Sequence, residues 1–519
     1  MNITAQVIQN LFYKYALLLL IATSVSIGAI YISYTNDLIL SYGDSESHIN
    51  ISKRVIDSIT PGFAQLGGIW LPIPHLLMVP LVKIDFLWRS GLAGAIVSGF
   101  LFVIASIYIY KLTFLVTGKK TPSIVAFLVF ILNPNLLYLQ STPMSEVPFI
   151  SFCVISIYYF VSFLKTDFAI YLSVAAFFGF CATLSRYDGW LLVLAEAALI
   201  VVSYLLKKKS WRKLEGAFIL FSTPAFIGIL FWLAWGFIIL GNPLYFTDSP
   251  FSAKSQQQSW LARGELPAYH NLDQAFYYYF VDSLLNTGIY LFPASLLGLI
   301  LFLYHYRYNT LFFTAGLLAI PFIFNVLTLY IGQSVLFLPE ITPGEFEWKL
   351  FNARYGVLMV PFVAFFIGFL YYKLFALLKI LIISLIIVQC GSFVLGFERI
   401  ISVDDGVFGL SAAKRPDAEV WMAREYDYGL VLLDDYTRSI SIIRSNLPME
   451  KVIYIGNKPY WEESLSTPEK HARWIVIQQG DSIYKRLIEN KEMEGQLYTY
   501  FNRTYTSPEI QIFRRIDAN

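Results

Sequence analysis

About eleven stretches of this chain stay apolar long enough to cross a bilayer, since a spanning helix needs about 20 mostly apolar residues. They fall at 13–33, 90–112, 122–140, 147–164, 168–185, 190–206, 216–240, 284–304, 311–331, 354–372 and 376–396. In hydrocarbon every backbone N–H and C=O must find a partner inside the protein, so runs of this length fold as helices. Of the 519 residues, 57% are hydrophobic and 14% charged, against about 45–50% and about 25% in soluble domains. The expected fold is therefore an all-α polytopic membrane domain. The first run is long enough to be a retained helix rather than a cleaved signal. Residues 74–88 are apolar but shorter and broken by Pro72, Pro74 and Pro80, which reads as a re-entrant or interfacial piece.

Charge position matters more than charge sum. A formal net charge of +2 gives no footprint for nucleic acid. Lys111, Lys119 and Lys120 share one connection, and Lys207, Lys208, Lys209, Arg212 and Lys213 another; His305 with Arg307, then Lys373, mark two more. With eleven spans all of these share one side, which the positive-inside rule makes cytoplasmic. The N-terminus is then cytoplasmic and the tail extracytoplasmic, in a multi-pass protein of the cell membrane. The outer side receives the loop 34–73, the turns at 141–146 and Arg186–Asp188, the loops 241–283 and 332–353, and the tail. The chemically unusual residues gather there. Cys153, Cys181 and Cys390 lie within apolar runs and suggest neither a disulfide framework nor a cysteine metal site.

The chain divides at 396/397 into a transmembrane domain, 1–396, and a small extracytoplasmic α/β domain, 397–519. In the tail, PDAEVWMAREYDYG reads as a helix closed by Gly429, with LVLLDD, KVIYIG and RWIVIQQG as short strands.

The sharpest local feature is Tyr42-Gly43-Asp44-Ser45-Glu46-Ser47-His48, just past the first span. Asp44 and His48 at i, i+4 share a helix face. A carboxylate at the mouth of a membrane cavity can take a proton from an acceptor nucleophile. The same Asp44 can also serve as the N-cap of ESHINISKRVIDS, worth about 1 kcal/mol; the two roles are compatible. The loop continues through a Pro-Gly break and a Trp-Leu-Pro run, a composition suited to the membrane interface.

Four more motifs follow in order: LNPNLLYLQSTPMSEVPF with Glu146, ATLSRYDGWLLV with Arg186, Tyr187 and Asp188, GNPLYFTDSPFSA, and FNARYGVLMVPF with Arg354 and Tyr355. Together with the acidic loop, their order resembles the GT-C fold glycosyltransferases that use polyprenyl-phosphate sugars. Protein O-mannosyltransferases and the aminoarabinose transferases of lipid A are members. The resemblance spans most of 1–396 and implies a GT-C-like membrane domain with Asp44 as catalytic base and Glu46 as the second catalytic candidate.

The implied donor is a polyprenyl-phosphate-linked sugar, and the acceptor a protein, lipid or glycan hydroxyl at the outer face of the bilayer. Arg354, Arg186 and Lys254 are the candidates for the donor phosphate, Arg354 foremost because a guanidinium grips phosphate in bidentate fashion. Against this stand a snorkelling Arg354 and an Arg186 that simply pairs with Asp188. His48, His75, Glu146, Tyr187, Asp188 and Tyr355 are the candidate substrate contacts, the two histidines equally readable as structural. Trp70, Tyr245 and Trp260 are either sugar platforms or interface aromatics. Direct displacement at the anomeric carbon inverts its configuration and requires no cofactor. The Asp44-x-Glu46 spacing resembles metal-dependent oligosaccharyltransferases, which leaves a divalent metal on these two residues open. EYDYG at 425–429 resembles the oligosaccharyltransferase WWDYG motif without its Trp-Trp, and a helix end explains it as well. Rival readings are a transporter, which calls for repeats and mid-span charges not evident here, and a lipid- or sugar-binding membrane protein without transferase activity. Asn2, Asn50 and Asn502 match the N-glycosylation sequon.

Overall fold

The computed structural model describes residues 3–250, 252–435 and 439–516. Among them, seven helices are long and apolar enough to cross a membrane: Tyr15–Thr35, Leu92–Thr117, Glu146–Thr166, Asp188–Leu206, Trp211–Leu240, Ala353–Lys373 and Ala376–Val394. Two bent pairs raise the number to nine, and two further apolar runs form shorter helices, Lys120–Ile131 and Ala169–Thr183. All eleven apolar runs are thus helical. Length and composition alone assign between seven and nine of them as spans.

The run 284–304 departs from a straight span. Helix Leu272–Thr287 turns by 109° into Leu291–Tyr306. The turn is made at Gly288, whose φ of +104° disfavours any side chain and whose α-carbon abuts Gln389. The Gln389 side chain accepts the freed Tyr290 N–H at 3.0 Å, and Glu398 accepts that of Ile289 at 3.2 Å. A milder bend of 46° separates Thr310–Leu318 from Ile320–Tyr330. There Pro321 supplies no N–H to continue the ladder.

The chain forms two compact units. The first comprises Met1–Ser41, Gly68–Pro74 and Gly94–Ala412, and the second Tyr42–Gly67, His75–Ala93 and Ala413–Asn519. Residues 397–412 thus group with the first unit, and most of the first loop groups with Ala413–Asn519. Helix Ile73–Val82, with Pro80 inside it, and helix Asp85–Arg89 are too short to span, in keeping with the proline-broken sequence.

The second unit holds a five-stranded sheet: β1 (Val431–Leu432), β2 (Val452–Ile453), β3 (Trp474–Gln478), β4 (Phe501–Thr506) and β5 (Ile510–Arg515), in the order β2-β1-β3-β5-β4. β1 runs parallel to β2 and β3, whereas β5 is antiparallel to β3 and β4. Leu432, Ile453, Ile475, Ile477 and Phe513 form its core with Trp461 and Leu487. The three expected strands are present. The hairpin β4–β5 was not anticipated, because β4 buries only Phe501 fully and shows little apolar signal. The helix cap is corrected as well. Helix Asp417–Glu425 ends at an extended Tyr426, and Gly429, although at φ +86°, packs on the Arg473 side chain beyond the helix end.

Candidate functional site

In the first unit, a buried network of charged groups gathers at helix beginnings. Glu146 opens helix Glu146–Thr166, where an acidic residue suits the positive end of the helix dipole. Its Oε1 accepts from Arg186 Nη1 at 3.1 Å and from Arg354 Nε at 3.4 Å. Arg186 Nε also donates to Asp188 Oδ2 at 3.1 Å, and Asp188 in turn opens helix Asp188–Leu206. Asp188 Oδ1 accepts from Asn325 Nδ2 at 3.2 Å.

Arg354 lies in the 3-10 helix Ala353–Met359 and is 4% exposed, which is not the exposure of a snorkelling side chain. Its Nη1 donates to Ser411 at 3.1 Å and lies 3.6 Å from Asp405. Both guanidiniums sit over the Tyr355 ring, at 5.0 Å for Arg186 and 5.1 Å for Arg354. Gly356 is required for this packing, because a Cβ there would fall 2.3 Å from the Asp282 carbonyl. Glu146, Arg186, Asp188, Arg354 and Tyr355 are therefore brought together. Asp405, Asp282, Asn325 and Tyr279 are further members that the sequence reading missed, each lying in a stretch without a recognised motif.

Two expected residues stand elsewhere. Tyr187 turns to the apolar cluster of Leu71, Leu184 and Trp232, donating its hydroxyl to the Ile69 carbonyl at 2.8 Å and stacking on Phe246. Lys254 is exposed on the short helix Ala253–Gln256 and forms no ion pair among the described residues. Trp260 packs edge-on against Phe337 and Phe351, and Tyr245 covers Gly68.

In the second unit, helix Gly43–Arg54 begins with Tyr42 at the N-cap position, so Asp44 sits inside the first turn and is not the cap. Asp44 is half-buried, whereas Glu46 is buried. Glu46 Oε1 accepts from the Ser441 hydroxyl at 2.7 Å and the Ile443 N–H at 3.4 Å, and Arg444 lies 3.6 Å from Oε2. Burial pushes the Glu46 carboxyl above the usual range against the pull of Arg444 and Ser441. His48 Nδ1 meets His75 Nε2 at 2.7 Å with the rings stacked, both side chains buried. Beside this helix lies a small cleft lined in part by Glu46, Ser47, Lys414, Glu419, Asp435 and Arg444. Arg54 pairs with Asp435 and covers the Tyr454 ring at 4.0 Å.

The Glu46 oxygens are turned to Ser441, Ile443 and Arg444. Among the described residues, no three His, Cys, Asp or Glu side chains converge to hold an ion. Asp427 of EYDYG is held by Arg473 and Arg514, each at 2.6 Å, and by Trp474 Nε1 at 3.0 Å, a structural anchor for the sheet. Of the sequons, Asn50 is buried and accepts from Trp88 Nε1 at 3.0 Å; Asn502 is exposed on β4, and Asn2 lies outside the described residues.

These helices define a GT-C membrane fold. The chain is 12% identical to ArnT from Cupriavidus metallidurans bound to undecaprenyl phosphate, covering 97% of this chain and 98% of that one at a TM-score of 0.58. An oligosaccharyltransferase from Archaeoglobus fulgidus in complex with Zn and sulfate matches at 12% identity, 96% of this chain and 73% of that one, TM-score 0.53. AglB from the same organism, in complex with an inhibitory peptide and a dolichol-phosphate, matches at 12% identity, 96% and 74% coverage, and TM-score 0.52. No family profile matches the sequence, and no curated protein matches it either.

Proposed function

We propose that this protein is a membrane glycosyltransferase that moves a sugar from a polyprenyl-phosphate donor to an acceptor hydroxyl. The observation that carries this reading is the agreement of fold, over nearly the whole of both chains, with an enzyme structure holding undecaprenyl phosphate. The acidic residue after the first span, the Arg186 turn and the late Arg354-Tyr355 motif follow in the order that the resemblance requires.

Asp44 is the general base. Its carboxylate takes the acceptor O–H proton, the oxygen forms a bond to C1 of the sugar, and the C1–O bond to phosphate breaks. The polyprenyl phosphate leaves with the bonding pair, and the configuration at C1 inverts. Phosphate is already a good leaving group, so no second carboxylate need act as acid. Arg354, with Arg186 behind it, supplies the positive charge for the phosphate. Both are already hydrogen-bonded to Glu146, which holds their planes fixed before a donor arrives. Glu46 positions its helix rather than reacting. The acceptor is taken at the outer face, with the N-terminus cytoplasmic, as the basic connections indicate.

The test is transfer by the purified full-length protein from undecaprenyl- and dolichyl-phosphate hexoses and pentoses, with and without chelator. Asp44→Asn is expected to lose at least about 100-fold in rate while remaining folded. Transfer by that variant at the wild-type rate would remove Asp44 as the base.

A further inference from the structure

A cavity with a charged rim lies at the opposite end of the helices that carry Glu146 and Asp188. It is lined where the end of Glu146–Thr166, the start of Ala169–Thr183, the end of Asp188–Leu206 and the start of Trp211–Leu240 meet. Its lining residue on the third helix, Tyr204, is 16 residues beyond Asp188, roughly 24 Å at 1.5 Å per residue. It is therefore independent of the charged network above. The empty space, open mouth included, is ≈ 1030 Å³. Its walls are apolar, with Phe163, Leu172, Ala217 and Leu220 among them, and its rim is polar, with Ser210, Lys209 and Lys213.

The rim is strongly positive. Lys209, Lys213 and Asp167 line it, and the connection that carries the two lysines also holds Lys207, Lys208, Arg212 and Glu215, so these seven charged residues leave an excess of three positive charges. Asp167 is taken by Lys209 at 2.5 Å and Lys207 at 3.5 Å, and Lys207 also donates to the Leu164 carbonyl at 2.6 Å. Arg212 and Lys213 are exposed and form no ion pair among the described residues. Gly216, one turn below, lines the cavity, and a Cβ built on it meets nothing within 4 Å. The combination is an apolar slot beneath cations that lack counter-charge.

We propose that this cavity is a binding site for an anionic glycerophospholipid of the phosphatidylglycerol type. The phosphate lies against Lys213, Arg212 and the Ser210 hydroxyl, and an acyl chain fills the slot past Gly216 between Phe163, Leu172 and Leu220. A free phosphate satisfies the rim but leaves the apolar walls bare. A zwitterionic lipid fills the slot but leaves the excess charge uncompensated. An anionic lipid alone answers both features.

The experiment is native mass spectrometry of the full-length protein released from bilayers of equal phosphatidylglycerol and phosphatidylcholine. The wild type is expected to retain phosphatidylglycerol over phosphatidylcholine by at least about five-fold, since each cation near a lipid surface adds about that factor. Arg212→Glu with Lys213→Glu removes the preference while lipid of both kinds still binds. Gly216→Trp, at a position where a Cβ meets nothing within 4 Å, fills the slot and lowers retention of both lipids. Millimolar inorganic phosphate leaves the bound lipid in place. Equal retention of the two lipids by the wild type, undiminished phosphatidylglycerol on Gly216→Trp, or displacement by phosphate would each overturn the assignment. Should Gly216→Trp not fold, the charge variant decides alone, because its rim residues are exposed and its loss of preference is read against the wild type.

Discussion

Asp44 and Glu46 are two residues apart but differ in burial, and substitutions at each test the proposed division of their roles. Glu46→Gln keeps an oxygen for the Ser441 hydroxyl and the Ile443 N–H. It gives up only the 3.6 Å attraction of Arg444, which retains Glu419 at 2.6 Å. Because burial already disfavours the Glu46 carboxylate, the amide also relieves a desolvation cost. The two effects oppose, so stability should change by no more than about 1 kcal/mol and transfer by no more than about three-fold. Glu46→Ala instead strips two hydrogen bonds at about 1 kcal/mol each and leaves a void, for a loss of about 3 kcal/mol. The assay pairs initial transfer rates with thermal unfolding for Glu46→Gln, Glu46→Ala and Asp44→Asn. The reasoning is refuted if Glu46→Gln melts with the wild type yet loses as much transfer as Asp44→Asn. That result would make Glu46 part of the reaction rather than of the scaffold.

Arg354→Gln breaks a buried pair and should cost about 3–5 kcal/mol. The double variant with Glu146→Gln should recover at least about 1 kcal/mol of it in a double-mutant cycle on unfolding, and strict additivity would contradict the contact. Asp481, the N-cap of helix Ser482–Leu487, has its carboxyl pushed up to about 6 by burial, with Asp434 adding to the rise against the backbone N–H groups of Tyr484, Gln478 and Ile483. Its folded pKa lies above the unfolded value, so the associated stability is complete below about pH 4 and lost as pH rises through about 6. Hydrogen exchange over 474–487, corrected for intrinsic rate, should show protection weakening across that window by about 1–3 kcal/mol in the wild type and less in Asp481→Asn. Identical slopes would exclude Asp481 as the cause.

The membrane domain was readable because its signal is long: a run of about 20 apolar residues has few ways to fold. The bend at Gly288 was not, because what satisfies it is Gln389, about a hundred residues downstream. Arg354 and Glu146 announced themselves as charges beside apolar runs, but their mutual pairing crosses more than 200 positions and leaves no local trace. Asp405 was lost because an acidic residue at the start of the tail, just past the last span, looks like ordinary loop polarity. At Asp44, spacing alone left N-cap and catalytic readings together. The backbone of Tyr42 removes the first of them, since it occupies the cap position itself. Gly429 misled for the converse reason: its positive φ is real, but it serves the packing of Arg473 rather than a helix end.

The buried network also imposes an order on the protein's synthesis. Glu146, Arg186 and Asp188 emerge from the ribosome within about forty residues of one another, and their three side chains already satisfy each other with one negative charge left over. Arg354 follows much later and brings the balancing positive charge, and its own partners, Asp405 and Ser411, come only after the last two long apolar helices have been translated. Nascent chains that stop short of Asp405 therefore hold a guanidinium missing part of its shell, and the insertion machinery or lipid headgroups must shelter it until the final stretch arrives.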